Sequence, residues 1–379
     1  MNYDIIIVGA GISGLTLAER YANKLNKKVL VIDKRNHIGG NCYDYYNEAG
    51  ILISKYGAHL FHTKYDDVWK YVHKFSDFSH YEHKVLASVD GKLVPVPVNI
   101  TTVNMLLGTN IKNEAEMDEW LDKNQVKNDD PKNGREAALA RVGEELYEKI
   151  FKNYTKKQWD KYPEELDESV LNRIPVRNNF DNRYFSDKHQ GQPIEGYAKL
   201  FEKMLSHPNI TVKLNTDFFE IKGTLKGYEK LFYTGPIDQF FDYKYSKENK
   251  LEYRSIRFEF ETHDKKRFQS NSVINYPNEY EFTRIVEYKY FTGQKHPKTT
   301  ISKEFSVDYI PGENDPYYPV PNPKNEALYK KYQEEAEKLE EKGIHFVGRL
   351  ANYKYFNMDQ AFKNALDLFY SLNSQVDKD

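Results

Sequence analysis

Three glycines near the N-terminus have the spacing that close contact with a phosphate group requires. Gly9, Gly11 and Gly14 form the pattern G-x-G-x-x-G, and Asp33 follows at the end of the next apolar run. In dinucleotide sites the first two glycines allow a tight turn and a close approach of the backbone to a pyrophosphate, while the third lets the next helix pack on the strand. A carboxylate at the position of Asp33 accepts hydrogen bonds from an adenosine ribose and disfavours a 2′-phosphate. The sequence therefore predicts a dinucleotide site.

The elements that would position these glycines are present on both sides of them. Residues 3–8 form a β-branched run typical of a buried parallel strand, residues 15–25 place apolar side chains at helical spacing, and residues 28–32 form a second apolar run. A lone glycine pattern is weak evidence, because glycine turns recur in structural loops. Since strand, helix, second strand and terminal acid are all in place, we predict a Rossmann-like unit.

A glycine pair shortly after the acid bears on the identity of the dinucleotide. Gly39, Gly40 and Asn41 resemble the extended fingerprint of FAD enzymes of the glutathione-reductase and amine-oxidase type. A surface turn is the alternative, because a Gly-Gly pair alone is common in loops. No second G-x-G-x-x-G follows, so we do not expect a separate NAD(P)H domain. We predict FAD as the cofactor.

Composition excludes several classes of protein. The chain has 379 residues, of which 39% are hydrophobic and 30% charged, with a formal net charge of -2. These values indicate a globular protein and argue against a dedicated nucleic-acid binder. The single cysteine, Cys42, cannot form an internal disulfide, and no Cys/His cluster has metal-ligand spacing. Because no apolar run approaches ~20 residues and no signal peptide is evident, we expect no membrane partner and a cytoplasmic location.

Two histidines and two aromatic residues could also do chemistry. His59 and His62 stand at i and i+3 after a glycine turn, and histidine titrates near neutral pH, although a lone histidine is more often structural. Tyr154 and Trp159 could stack on a base, but their spacing alone favours a pair of core aromatics.

The remaining pattern predicts an α/β fold: a Rossmann-like FAD-binding domain of the glutathione-reductase type, with an inserted helical subdomain and an antiparallel β-sheet subdomain. Apolar residues at helical spacing predict the helical part, and strict alternation in residues 251–310 predicts the antiparallel strands. Residues 85–98 predict a hairpin on a sheet edge. The expected boundaries are 1–80, 196–245 and 325–379 for the FAD-binding domain, 100–168 for the helical subdomain, and 81–99, 169–195 and 246–324 for the substrate-binding sheet.

Separate motifs recur in order along the chain. They are residues 55–63 (KYGAHLFHT), 153–159 (NYTKKQW), 173–177 (RIPVR), 182–185 (NRYF), 233–238 (YTGPID), 253–255 (YRS), 283–285 (TRI), 317–320 (YYPV) and 348–355 (GRLANYKY). Together they resemble the bacterial UDP-galactopyranose mutase family over nearly the whole chain. The resemblance implies an isomerase that interconverts UDP-α-D-galactopyranose and UDP-α-D-galactofuranose by ring contraction, with no net redox change. Reduced FAD would act as a covalent nucleophile, through flavin N5 on the anomeric carbon. A homodimer is implied by analogy.

The resemblance also assigns site residues. It places Arg173 and Arg284 at the pyrophosphate and His59 and His62 near the isoalloxazine, as catalytic groups. The residues that it assigns to substrate binding are Tyr154, Thr155, Trp159, Arg173, Tyr184, Arg254, Asn275, Arg284, Tyr318, Tyr355 and His83. Those that it assigns to the cofactor are Gly9, Gly11, Ser13, Gly14, Asp33, Lys34, Gly40, Asn41, His59, Leu60, Arg349, Met358, Asp359 and Gln360.

Departures from the family pattern leave the sugar open. His83 stands where many bacterial members have asparagine, and Asn357 where many have aspartate. An N-acetylated galactose therefore stays an alternative, although His62 instead of arginine favours plain galactose. Two other functions share the expected fold: an FAD oxidoreductase of the amine-oxidase type, which needs an electron acceptor, and a non-catalytic binding protein of the Rab GDP-dissociation-inhibitor kind. The latter would not need the complete fingerprint.

Overall fold

The computed structural model describes residues 2–172, 175–245 and 250–378. The strands are β1 (Ile5–Val8), β2 (Val29–Ile32), β3 (Asp44–Tyr46), β4 (Leu52–Ser54), β5 (Phe61–Thr63), β6 (Phe78–His80), β7 (Val85–Val89), β8 (Lys92–Pro95), β9 (His189–Pro193), β10 (Ile210–Lys213), β11 (Lys230–Tyr233), β12 (Tyr253–His263), β13 (Val273–Asn275), β14 (Arg284–Glu287), β15 (Thr299–Asp308), β16 (Tyr318–Pro319) and β17 (Ile344–Phe346).

The helices surround these strands. They are α1 (Ile12–Leu25), α2 (Asp66–Val72), α3 (Ile100–Leu107), α4 (Glu114–Asn124), α5 (Gly134–Leu146), α6 (Asn153–Trp159), α7 (Ser169–Asn172), α8 (Tyr197–Met204), α9 (Phe218–Ile221), α10 (Ile237–Phe240), α11 (Lys289–Thr292), α12 (Pro323–Glu340) and α13 (Met358–Leu372). Among the helices of the described ranges, none combines the length and apolar character that crossing a lipid bilayer would require.

The first layer is a five-stranded parallel sheet with the order β10-β2-β1-β11-β17. Its β-branched residues are buried because helices cover the sheet: α1 and α13 pack against one face in a shared apolar cluster. The strands β10, β11 and β17 come from distant parts of the chain and complete the sheet that β1 and β2 begin. This arrangement confirms the predicted Rossmann-like layer and brings the carboxyl ends of its strands to one edge.

The second layer is a seven-stranded sheet with the order β16-β12-β15-β14-β13-β7-β8. The predicted hairpin forms β7 and β8, and β8 ends the sheet at Pro95 as expected of an edge strand. The predicted antiparallel pattern holds for β12, β14 and β15, but β13 runs parallel to β7. A parallel pair needs a long crossover, and the chain between these two strands is long enough to supply one.

The helices α3 to α7 do not form a core of their own. Their apolar side chains join those of β7, β8, β13 and β14 in one buried cluster. A third, small sheet has the order β5-β9-β6. Here the structure differs from the expectation for residues 169–195, because β9 pairs with strands of the N-terminal segment and not with the seven-stranded sheet. Strand pairing depends on contacts across the chain that local pattern does not contain. The other boundaries stay predictions.

Candidate cofactor and substrate site

The glycine turn between β1 and α1 has no room for side chains. Gly9 has a φ of +108°, and a Cβ there would lie 1.9 Å from Thr234 Oγ1. A Cβ on Gly14 would lie 2.0 Å from the Gly9 carbonyl oxygen, and one on Gly348 would lie 2.9 Å from Ser13 Oγ. The backbone of this turn is therefore bare toward the space in front of α1, as contact with a pyrophosphate requires.

Asp33 and the glycine pair pack directly on this turn. The Asp33 carboxylate accepts hydrogen bonds from the amides of Ala10 (2.7 Å) and Arg35 (2.8 Å). Gly39 donates its amide proton to the Ala10 carbonyl at 2.7 Å, and a Cβ on Gly40 would lie 3.0 Å from Gly11 Cα. The pair is thus part of the nucleotide turn. This packing argues against a surface turn, and the choice of FAD as the dinucleotide stays a prediction.

A long cavity runs along the carboxyl ends of β1, β2, β11 and β17, where nucleotides bind in open α/β sheets. The predicted cofactor residues that line it are Gly9, Gly11, Ser13, Asp33, Lys34, Gly40, Asn41, His59, Arg349 and Met358. The other four predicted cofactor residues do not line the cavity. Gly14 packs on Gly9, Leu60 on the second layer's apolar cluster, Gln360 accepts from the Asn357 amide, and Asp359 bonds Thr63.

Residues from the second layer close part of this cavity. Asp315 and Tyr317 line it, and the Asp315 carboxylate pairs with the Arg35 guanidinium at 3.0 Å. That guanidinium also lies 4.4 Å from the centre of the Tyr56 ring. Sequence analysis missed Asp315, and no local signal marks it, because the loop reaches the cavity only through the fold.

Arg349 connects the cofactor cavity to a cluster of aromatic residues. Its Nε donates to the Phe356 carbonyl at 3.1 Å, and its guanidinium lies 5.1 Å from the Tyr318 ring and 5.5 Å from the Tyr355 ring. These two tyrosines stack at 4.9 Å, and Trp159 lies 6.4 Å from each of them. The structure thus brings Trp159 together with two tyrosines that follow it by more than a hundred residues in the sequence.

Trp159 fits the core alternative, and its role in stacking on a base stays a prediction. It is 2% exposed and joins the buried cluster of the second layer. Its indole Nε1 nevertheless has no hydrogen-bond partner among the described residues. A buried indole N–H without a partner is uncommon and can donate to a ligand. Thr155 is buried on the same helix.

Arg284 is a partly buried cation that pairs with a carboxylate. Its Nε donates to Glu304 Oε2 at 2.5 Å across the neighbouring strands β14 and β15. Burial lowers the pKa of Arg284, but the combined effects of Glu304, Tyr154 and Tyr318 outweigh burial, so the pKa lies well above its ordinary value. Opposite Arg284 on β13, Asn275 is buried and its Oδ1 has no partner in the described part of the chain. This corner suits an anionic, hydroxyl-rich ligand.

Arg254 differs from Arg284 because several protein groups hold its guanidinium. It is buried, and its guanidinium contacts Asp308, the Gln158 carbonyl and Ser306 Oγ. These contacts tie α6 to β12 and β15. The prediction for Arg173 lies outside the described residues and stays a prediction.

The three histidines of the site have different partners. His59 lines the cofactor cavity, and its Nδ1 lies 2.8 Å from the Gly57 carbonyl, which can only accept. Burial, assisted by the charges of Arg349 and Arg284, lowers the pKa of His59 to about 4, so its Nε2 is an acceptor at neutral pH. Burial likewise lowers the pKa of His83 to about 3.

His62 alone of the three has a carboxylate partner. Its Nδ1 lies 2.8 Å from Asp187 Oδ2, and its ring stacks on Phe185 at 3.6 Å. His83 and Tyr184 pack around the same Phe185 ring. Sequence analysis missed Asp187 and Phe185, although Phe185 ends one of the motifs. Within the described ranges, no group of three or more His, Cys, Asp or Glu side chains is placed to hold a metal ion.

Comparisons with known proteins agree with this geometry. A family model described as UDP-galactopyranose mutase matches residues 149–355, and one described as an NAD(P)-binding Rossmann-like domain matches residues 7–75. A "dTDP-fucopyranose mutase" of Escherichia coli is 39% identical over 96% of this chain and 96% of its own length. A "Probable UDP-galactopyranose mutase" of Klebsiella pneumoniae is 38% identical over 96% of this chain and 93% of its own.

The fold is also found among solved structures. The crystal structure of a reduced UDP-galactopyranose mutase aligns with a TM-score of 0.77 over 100% of this chain and 95% of that one, at 16% identity. A protein described as a putative protoporphyrinogen oxidase from an Exiguobacterium species aligns with a TM-score of 0.69 at 12% identity, over 98% of each chain. At such identities the likeness concerns the fold alone.

Proposed function

The chain belongs to the UDP-galactopyranose mutase family, and we propose that it interconverts UDP-α-D-galactopyranose and UDP-α-D-galactofuranose by ring contraction with reduced FAD. The observation that carries this proposal is the adjacency of two sites. Arg349 lines the nucleotide cavity and its guanidinium also lies over the ring of Tyr318, one of the stacked aromatic residues. A reaction between a cofactor and a nucleotide sugar requires such a junction. Family membership favours this function over an amine-oxidase type of redox reaction and over a non-catalytic role.

The residues of the cavity fit FAD. At Gly9, Gly11 and Gly40 the pyrophosphate could approach the backbone closely, because no side chain intervenes. Asp33 would accept hydrogen bonds from the adenosine ribose. Met358, the first residue of α13, also lines the cavity, so the positive end of that helix dipole faces the bound group. When bound and reduced, FAD supplies a nucleophilic nitrogen for the anomeric carbon, and UDP is the leaving group.

The chain's own residues would bind the leaving group and neutralise its charge. Arg284 would pair with the diphosphate, because Glu304 fixes only one edge of its guanidinium. Arg173 is proposed for the same role. Tyr318 and Tyr355 would offer hydroxyl donors to the diphosphate, and Trp159 would donate its free indole N–H.

The uridine and sugar ends of the pocket follow from these anchors. Tyr154, Thr155 and Tyr184 would contact the uridine, as the family pattern implies. Asn275 and His83 would bind sugar hydroxyls, and Arg254 would act from behind as a fixed positive charge. Neutral His59 would accept a hydrogen bond through Nε2. Each of these assignments rests on the motif match together with the burial or contact described above.

A second substrate has support of its own. A relative at 39% identity is named a dTDP-fucopyranose mutase, and the relative named for UDP-galactopyranose is 38% identical to this chain. Both substrates are nucleoside diphosphate hexoses that would use the same diphosphate anchor. dTDP-fucopyranose and the N-acetylated UDP-galactose are therefore tested beside UDP-galactose. By family analogy we also propose a cytoplasmic homodimer without a nucleic-acid or membrane partner.

The test is conversion of UDP-galactofuranose to the pyranose form, with and without dithionite, beside the furanose forms of the other two sugars. We expect a yellow protein and turnover of UDP-galactofuranose only after reduction. Equal turnover without dithionite, or a colourless protein that does not take up FAD, would contradict the proposal. Faster turnover of the dTDP-sugar would transfer the assignment to that substrate.

A further inference from the structure

The motifs assign no role to the pair formed by His62 and Asp187. His62 lies on β5 and Asp187 shortly before β9, and these strands pair antiparallel with His62 opposite Gln190. The pairing brings Asp187 Oδ2 to 2.8 Å from His62 Nδ1. His62 is 8% exposed, so this contact is formed at a buried position.

The hydrogen bond determines which nitrogen of His62 carries the proton. The His62 contact holds the pKa of Asp187 below its ordinary value, so the carboxylate is ionised and can only accept. The proton must then be on Nδ1. Among the described residues Nε2 has no hydrogen-bond partner, and Phe185 fixes the plane of the ring with centroids 3.6 Å apart and planes 13° apart. The imidazole is therefore fixed in tautomer and in orientation.

The charged and titratable groups around His62 come from several elements. Asp187 faces it from the loop before β9 and Asp359 from α13, while His83 and Lys64 lie on neighbouring loops. Burial raises the pKa of Asp359, and the charge of His62 opposes this effect. These carboxylates stabilise a positive charge on His62.

The other two histidines lack this arrangement. His59 is bonded to a neutral carbonyl, and His83 Nδ1 is buried without a partner among the described residues. Both also lie in the positive field of Arg284, which lowers their pKa. Of the three, only His62 has an ionised carboxylate hydrogen-bonded to its ring.

We propose that Asp187 is a positioning residue for the reaction: it holds His62 with Nδ1 protonated and stabilises the imidazolium, so that Nε2 can hold a proton during ring contraction. The part concerning the reaction rests on the proposed function. Contraction moves a proton from the hydroxyl that closes the furanose ring to the oxygen that leaves the pyranose ring. Because ring opening comes first, the imidazolium of His62 gives its Nε2 proton to the departing ring oxygen, and Nε2 then regains a proton from the hydroxyl that closes the furanose ring, so no oxidant, reductant or further acid is consumed.

The test is ¹⁵N NMR of the histidine rings, followed through a pH titration of the FAD-bound protein without substrate. In the wild type we expect the Nδ1–H form of neutral His62. Asp187→Asn keeps an acceptor but loses the charge, so the tautomer should persist while the titration midpoint of His62 falls by about one pH unit or more. In the pH profile of kcat, the limb that reports the ionisation of His62 should shift together with that midpoint. Asp187→Ala should lose the tautomer preference as well.

Asp66→Asn is the matched control. Asp66 Oδ1 lies 2.6 Å from Nε2 of His189, a residue of the same small sheet. The Asp66 side chain, however, is 60% exposed. This variant should leave the His62 midpoint and kcat unchanged. FAD absorbance and thermal melting establish that each variant folds.

The outcomes separate this proposal from the proposed function. An Nε2–H tautomer in the wild type, or an unchanged His62 midpoint in Asp187→Asn, would overturn the positioning role. If the NMR results are as expected but no sugar nucleotide is turned over, the pairing stands and the mutase assignment fails. If turnover is normal and Asp187→Asn moves the NMR midpoint without moving the kcat profile, His62 does not carry the proton.

Discussion

Arg284 and Glu304 face each other across β14 and β15, with Nε and Oε2 2.5 Å apart. Glu304 is 1% exposed, and its second oxygen has no partner in the described part of the chain. The carboxylate thus binds one edge of the guanidinium and leaves the other edge for an anion. A cation held in this way can neutralise a leaving diphosphate without rearrangement in the transition state.

Arg284→Ala should abolish most turnover while the protein still binds FAD. Arg284 does not line the nucleotide cavity, so its loss removes charge from the leaving-group end only. We expect kcat/KM to fall on the order of 10²-fold or more. Stopped assays of furanose conversion measure the loss, and flavin absorbance measures occupancy. A variant that purifies colourless would make Arg284 a structural or cofactor residue.

Glu304→Gln should lower stability, because it leaves the Arg284 charge with a weaker partner. We expect a loss of roughly 1–3 kcal/mol in the free energy of unfolding. Urea denaturation of the FAD-bound protein measures it. Glu259→Gln is the control, since Glu259 pairs with Arg257 at the surface, where both side chains are about half exposed. That change should cost below about 1 kcal/mol, and equal losses in the two variants would argue against the buried pair.

Asp315→Asn should weaken retention of FAD. The Arg35–Asp315 pair joins the nucleotide layer to a loop of the second layer across the cavity, and both residues line it. Loss of the pair should speed FAD release by about 10-fold or less, and added salt should reduce the difference, because both side chains are partly exposed. The rise of flavin fluorescence on dilution measures the rate. Asp264→Asn removes a surface pair with Lys298 and should leave the rate unchanged.

His83→Asn should reduce the loss of stability at acid pH. The pKa of His83 is lowered to about 3, against an ordinary value of 6.5, so the unfolded chain binds the proton more readily. Stability therefore rises with pH between about 3 and 6.5 and is lost as pH falls through this window. At pH 5 the variant should lose roughly 1–2 kcal/mol less than the wild type, relative to pH 7.5.

Urea midpoints at the two pH values measure this difference. His80→Asn is the control, since the side chain of His80 is 80% exposed. If His83→Asn shows the same acid sensitivity as the wild type, the neutral buried state of His83 is wrong.

Much of the nucleotide layer could be predicted from sequence, because its signals are local. The runs that form β1, α1 and β2 are contiguous, and the glycines between them allow the tight turn that brings the backbone close to a pyrophosphate. Trp159, Tyr318 and Tyr355, which belong to three separate motifs, lie together in the structure, while their roles in binding stay predictions. The spacing of Tyr154 and Trp159 alone would have left both as core residues.

By itself, the sequence determined where the dinucleotide turn lies, which runs form strands and helices, and which family the motifs resemble, because these properties depend on neighbouring residues. Only the tertiary structure decided which charges meet. Glu304 reaches Arg284 through the register of β14 and β15, Asp187 reaches His62 through the pairing of β5 with β9, and Asp315 reaches Arg35 across the cavity. An ionic contact depends on a distance of a few ångströms between atoms, and only the packing of remote segments determines that distance.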